Sequence, residues 1–287
     1  MTQNIAITDD HDSPSSRPVL IIRPPKKWIP VDFHELWNYR ELLATFTMRD
    51  IKIRYKQTGL GIAWAILQPL LMMLILTAIF GGLAHIPSDG VPYPLFIFSG
   101  LLPWILFAEG MTRSTKSMVE NSPIMTKVYF PRLITPLAGI LSPLCDFAVS
   151  IIILAVMMAL YGFVPTINII FLPLFILLAI ATSMGVGLWL SALNVKYRDF
   201  QYIVPFMIQL GFYASPVVYP ASMFPKSLAF LLGLNPMAGV IEGFRWALLG
   251  TAIPSGLIFV SVGIVIVILV SGMYYFRRME QYYADIV

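Results

Sequence analysis

The chain has 287 residues, of which 58% are hydrophobic and only 12% charged, about half the charged share of an ordinary soluble domain. Its formal charge of +4 arises from bases at the edges of apolar runs rather than on one soluble face, which sets aside a nucleic-acid partner. A single cysteine, Cys145, excludes an internal disulfide, and His11, His34 and His85 show no metal-ligand spacing, so no metal site is expected.

Residues 1–32 are polar, then proline-rich (Pro14, Pro18, Pro24, Pro25, Pro30), without the basic-then-apolar layout of a cleavable signal. They are expected to form a disordered cytoplasmic tail.

From Phe33 to Lys56 the pattern turns helical. Leu36, Tyr39, Leu43, Phe46 and Ile53 recur at three- and four-residue steps, with Glu35, Asn38, Glu41, Thr45, Arg49, Lys52 and Lys56 on the opposing face. This predicts an amphipathic helix over 33–56 lying along the inner membrane surface. A simple insertion anchor would have the same composition, but direct fusion to the first apolar run favours an element that moves with that run.

Residues 57–287 read as a transmembrane domain. Apolar runs long enough to cross a bilayer lie at about 62–83, 95–111, 134–161, 167–193, 200–218 and 254–276. Six spans leave both termini on one side. Lys and Arg near span ends are retained in the cytoplasm, and a cytoplasmic N-terminus puts seventeen of the nineteen bases there, leaving Lys226 and Arg245 outside.

Between the second and third spans lies VENSPIMTKVYFPRLITPL, Val119–Leu137, too polar to span and too short for a domain. Pro123, Pro131 and Pro136 confine any helix there to roughly Ile124–Phe130. It is either an ordinary loop or a docking knob, and two prolines bracketing an amphipathic turn favour the knob.

On the fifth span, Tyr202, Phe206, Gln209 and Tyr213 fall at i, i+4, i+7 and i+11, an aromatic stripe with an amide in it. Aromatic rings stack on the apolar faces of sugars while hydroxyls and amides bond their polar edges, yet helix packing or interfacial belting suits the same residues.

Residues 221–250 hold two short apolar segments, Ser227–Leu234 and Met237–Leu249, broken by the Asn235-Pro236 turn signal. A re-entrant hairpin on the outer side is expected, with Glu242 and Arg245, three apart, forming a local ion pair.

Two ionisable groups fall inside spans. Glu109 has Arg113 one turn later and reads as a structural salt bridge; Asp146 has no partner on its own helix and is expected to bond across helices, with a proton relay the less favoured reading. The chain has no GxxxxGK[ST] loop, GxSxG elbow or HExxH, so no catalytic residues are expected and any energy for work must come from a partner or a gradient.

Four runs, in order, carry a resemblance: RYKQTGLGIAWAILQPL at Arg54–Leu70, SPIMTKVYFPRLITPL at Ser122–Leu137, LNVKYRDFQYIVP at Leu193–Pro205 and LNPMAGVIEGFRWALLG at Leu234–Gly250. From about Phe33 to its C-terminus the chain resembles the ABC-2 permeases that export polysaccharides. The resemblance implies an all-α integral membrane fold of six transmembrane helices, with a gate helix at Phe33–Lys56, a coupling helix within Val119–Phe130 and an outer re-entrant helical hairpin. It implies a homodimer in the bilayer of a bacterial cytoplasmic (inner) membrane, both termini cytoplasmic, bound to two copies of an ABC ATPase subunit. The chain itself would then be no enzyme and hold no cofactor, ATP and Mg being bound by the partner.

The resemblance also implies a polyprenyl-pyrophosphate-linked glycan as substrate. Within that frame Arg49, Lys52, Arg54 and Lys56 are the candidate head-group and gate residues, and Tyr202, Phe206, Gln209 and Tyr213 line the substrate path. Glu120, Asn121, Ser122, Pro123, Ile124, Lys127 and Tyr129 would contact the ATPase. O-antigen export is the favoured function; capsule or teichoic acid export, or ABC-2 export of a small molecule or lipid, are the alternatives. A gradient-driven transporter or membrane-embedded enzyme has only Glu109 and Asp146 in its favour.

Overall fold

A computed structural model of the chain describes residues 2–3, 22–23, 33–56, 63–225, 229–252 and 256–280. Of the expected tail, only a two-residue antiparallel ladder is described, Thr2 opposite Arg23 and Gln3 opposite Ile22. The rest of that expectation, and the join between the gate helix and the first span, lie outside the described residues.

The remaining described elements are helical. Two lead in: α1 (Phe33–Asn38) and α2 (Arg40–Lys56). Tyr39 separates them, but its N–H donates to the Glu35 carbonyl and its own carbonyl accepts from Leu43, so the expected helix persists as a nearly continuous rod. Then come α3 (Ala63–Leu76), extended by a π-helical stretch Thr77–Leu83, and α4 (Tyr93–Glu120). They are followed by α5 (Ser122–Met125), α6 (Ile134–Leu141) and α7 (Leu144–Leu160). A 3-10 turn, Ile167–Phe171, opens into α8 (Leu172–Lys196), followed by α9 (Phe200–Ala214). The chain closes with α10 (Ala229–Leu234), α11 (Pro236–Leu249) and α12 (Leu257–Glu280).

Five segments among the described residues are long and apolar enough to cross a membrane: Ala63–Leu83, Tyr93–Glu120, Ile134–Leu160, Ile167–Lys196 and Ile258–Glu280. The second outruns its expected end at residue 111, because the polar residues that follow, Ser114, Thr115 and Ser117, are buried within the bundle instead of marking its edge. The third bends at Ser142 and Pro143, where α6 gives way to α7.

The helix of the expected fifth span, 200–218, is shorter than that range. This helix, α9, has 15 residues, which at 1.5 Å per residue covers roughly 22 Å of a hydrocarbon core about 30 Å thick. Ser215 leaves helical geometry with ψ 147°, as a residue before proline prefers. The chain continues in non-helical form from Ser215 to Pro220. The Phe212 ring lies 5.9 Å from that of Trp104, midway along α4, and the Tyr93 hydroxyl at the start of α4 donates to the Val218 carbonyl at 2.8 Å. Thus α9 and its continuation run antiparallel to α4.

Burial is deepest around α4, against which α8, α6, α11, α7 and α3 pack. Small residues set the closeness of α4 and α8: a Cβ on Gly110 would strike the Ser183 hydroxyl, and one on Gly187 would strike Ser114. That is how helices associate in lipid, where burying apolar surface gives no advantage over solvating it with acyl chains. The outer helix α12 packs on α8 through a Trp189–Tyr275 stack with centroids 4.1 Å apart. Leu74, Ile75, Ile152, Leu177, Val267 and Val270 are exposed, a surface suited to a bilayer.

Candidate functional site

At one end of the bundle, α4 runs into α5 through Asn121, whose buried side-chain amide donates to the Ser117 carbonyl at 2.7 Å. The expected coupling helix, Ile124–Phe130, is corrected to Ser122–Met125. Pro123 sits in its first turn, where the missing N–H is no loss, and Phe130 precedes Pro131, which disfavours helix there. Among the residues expected to contact an ATPase, Glu120, Pro123, Ile124, Lys127 and Tyr129 are exposed and Ser122 is half-buried. Asn121 faces inward and supports the turn from beneath.

Phe130 also turns inward. Its ring lies 5.5 Å from that of Phe46 on α2, in a cluster completed by Ile134 and Ala138 of α6 and flanked by Leu36, Tyr39, Leu42 and Leu43. The segment after α5 and the first part of α2 thus share one small core. The same segment reaches α12 through Arg132, which donates to the Glu280 carbonyl at 2.8 Å. Beyond Phe46 the expected apolar face does not stay covered: Ile53 is 67% exposed. The described packing of α2 is against α6, near Phe46, so Ile53 projects past its support.

The four candidate gate bases separate into two groups. Lys52 and Lys56 are exposed. Arg49 lies over the Phe46 ring at 4.5 Å and pairs with Asp50 at 2.8 Å. Arg54 points into the bundle, where it pairs with Asp146 on α7 and stands 3.5 Å from Glu109 on α4; Glu109 also receives Arg113 at 3.2 Å. The local Glu109–Arg113 bridge is therefore present, and the cross-helix partner of Asp146 is a residue of α2.

The α9 stripe stays together on one face. Tyr202 is 75% exposed, Phe206 60% and Tyr213 57%, with Gln209 exposed between them, while Val204 is buried on the opposite side and Phe212 on the flank.

At the other end of the bundle, α10 and α11 form the expected hairpin, joined by Asn235, whose side chain accepts from the Met237 N–H at 3.0 Å. Gly250, at φ 65°, ends α11 in the left-handed conformation glycine tolerates best. Arg245 is paired with Glu242 at 3.3 Å, as expected, but it does more. Its guanidinium, 1% exposed, donates to the carbonyls of Pro216 and Val217 at 2.6 Å each and of Phe96 at 3.3 Å. It also lies 3.7 Å from the Phe96 ring. Two successive carbonyls of the non-helical chain after α9, those of Pro216 and Val217, are thus satisfied by this one side chain, while Tyr93 serves Val218.

The model of the ABC-2 type transporter family matches residues 41–249. The chain belongs to the ABC-2 transporter family. The ABC-2 match begins in α2 and ends at the last residue of α11, so it takes in nearly all of α2, the α5 turn, α9 and the Arg245 hairpin. Among ABC-2 relatives, the chain is 33% identical over 214 residues to the O-antigen export system permease protein RfbA of Myxococcus xanthus, covering 74% of this chain and 81% of that one. It is 29% identical to the RfbA of the same description from Klebsiella pneumoniae, over 86% and 95% of the two chains. To the polysialic acid transport protein KpsM of Escherichia coli it is 27% identical, over 73% and 81%.

Sequence reading did not find the Arg54–Asp146 pair, the Phe46–Phe130 contact or the carbonyl cap made by Arg245. A signal existed for the first: an acid in an apolar span with no base on its own helix must find one elsewhere, and Arg54 begins the motif that enters the first span.

Proposed function

We propose that this chain is the membrane-spanning subunit of an ATP-driven exporter of a lipid-linked polysaccharide, O-antigen being the favoured cargo. The carrying observation is the α9 face: four aromatic and amide side chains turned away from the chain's own bundle, on a permease whose relatives are named for O-antigen export. A polymer that must keep moving is suited by weak, repeated stacking on such rings. The KpsM likeness supports capsule export as the second reading, but it extends over less of both chains than the Klebsiella RfbA likeness.

The working form is a homodimer with two copies of a cytoplasmic ABC ATPase, in a bacterial inner membrane with both termini inside. Supporting this orientation, the exposed α5 turn, α2 and the Arg277-Arg278 end of α12 gather at one end of the bundle, and the hairpin lies at the other. Closure of the ATPase dimer presses on Ile124, Lys127 and Tyr129. The push passes through Phe130 to Phe46 and moves the gate helix, opening a path for the head group and then the glycan.

Deleting the chain tests the reading. Loss of surface glycan, with lipid-linked glycan accumulating on the cytoplasmic side, is the expected result; unchanged surface glycan would reject it.

A further inference from the structure

The gate helix is held in two different ways along its length. Its first half is anchored by apolar packing, Leu36, Tyr39, Leu43 and Phe46 against Phe130, Ile134 and Ala138. Its second half carries exposed Lys52, Ile53 and Lys56, while Arg54 reaches across to α4 and α7. Two guanidiniums, Arg54 and Arg113, and two carboxylates, Glu109 and Asp146, form a neutral cluster joining three elements. It borders a cleft lined also by Trp64 and Gln68 of α3 and Ser150 of α7.

We propose that this cluster is a masked anion site. Arg54 and Arg113 are donors for a phosphate-bearing lipid head group, and Glu109 and Asp146 occupy them while the gate is closed. The proposal rests on the export reading and adds to it the site's composition and its self-inhibition. Guanidinium forks match phosphate oxygens as well as they match carboxylates. A doubly charged pyrophosphate carries the charge that Arg54 and Arg113 together neutralise. Glu109, 34% exposed, can turn to water when displaced; Asp146, 15% exposed, cannot, so Asp146 sets the strength of the latch. Once Arg54 follows the head group, the second half of α2 swings about the Phe46 anchor.

The test uses the permease with its ATPase partner in phosphatidylcholine vesicles, spin-labelled at Ile53→Cys on α2 and Lys196→Cys at the end of α8, with Cys145→Ser removing the native thiol. Adding polyprenyl phosphate to the membrane should lengthen the label distance by roughly 5 Å, the scale of a one-turn shift. Phosphatidylglycerol in the membrane and inorganic pyrophosphate in solution are the comparison arms. A response to polyprenyl phosphate alone assigns the site to the lipid-linked substrate, and an equal response to either comparison anion overturns that assignment. Asp146→Asn, nearly isosteric, should show the longer distance with no added lipid. Arg54→Asp combined with Asp146→Arg should restore the short distance and abolish the response. If Asp146→Asn keeps the short distance, or wild type ignores polyprenyl phosphate, the masked site is overturned. Failure of the export reading would appear separately, as surface glycan that survives deletion of the chain.

Discussion

Phe46 and Phe130 meet ring to ring at 5.5 Å, joining α2 to the turn that follows α5. Both are buried, although each lies beside exposed or half-exposed polar neighbours, so the contact is a small private core between two elements expected to move together.

Truncating that contact should separate its two ends. Phe46→Ala removes a buried ring at a cost of about 3 kcal/mol and should reduce export several-fold while the ATPase still binds and hydrolyses ATP. Co-purification alongside an export assay checks this; export at the wild-type rate would show that the push travels elsewhere.

The exposed α5 turn should govern partner docking without governing fold. Ile124→Ala with Lys127→Glu touches exposed side chains, so stability should change by no more than about 0.5 kcal/mol. Binding of the ATPase subunit should fall, measured by co-purification in mild detergent, with the unfolding temperature of the permease unchanged.

Removing the α9 aromatics should act on transport alone. Tyr202 and Tyr213 project from α9, so Tyr202→Ala with Tyr213→Ala should leave unfolding unaltered and slow export of the glycan. Persisting ATP hydrolysis with slowed export is the expected pattern. A lowered unfolding temperature would instead assign the stripe to packing.

Arg245 should tolerate neither loss of charge nor loss of shape. Arg245→Met leaves the carbonyls of Phe96, Pro216 and Val217 without their donor, each worth about 1–3 kcal/mol when unsatisfied and buried. Arg245→Lys keeps the charge but not the planar fork, and should recover only part of the loss. Thermal unfolding in detergent orders the three as wild type, Lys, Met.

Gly110 and Gly187 should be intolerant of bulk. Gly110→Val forces the α4 and α8 backbones apart at Ser183, an overpacking cost of about 1–3 kcal/mol. Reduced folded yield from membranes is the measure.

Periodicity and composition alone determined the lead-in helix, five long apolar segments and the outer hairpin, because in lipid each helix must satisfy its own backbone and therefore shows itself in its own residues. Asn235-Pro236 marked the start of α11 for the same local reason. Tertiary structure decided what depends on more than one segment. It supplied the donor for the carbonyls of Pro216 and Val217, which Arg245 reaches only when α11 packs beside the chain that follows α9. It extended α4 past its apolar run, because Ser114, Thr115 and Ser117 are buried within the bundle. It turned Arg54 from a surface base into the partner of Asp146, a pairing between α2 and α7 that no spacing along the chain encodes.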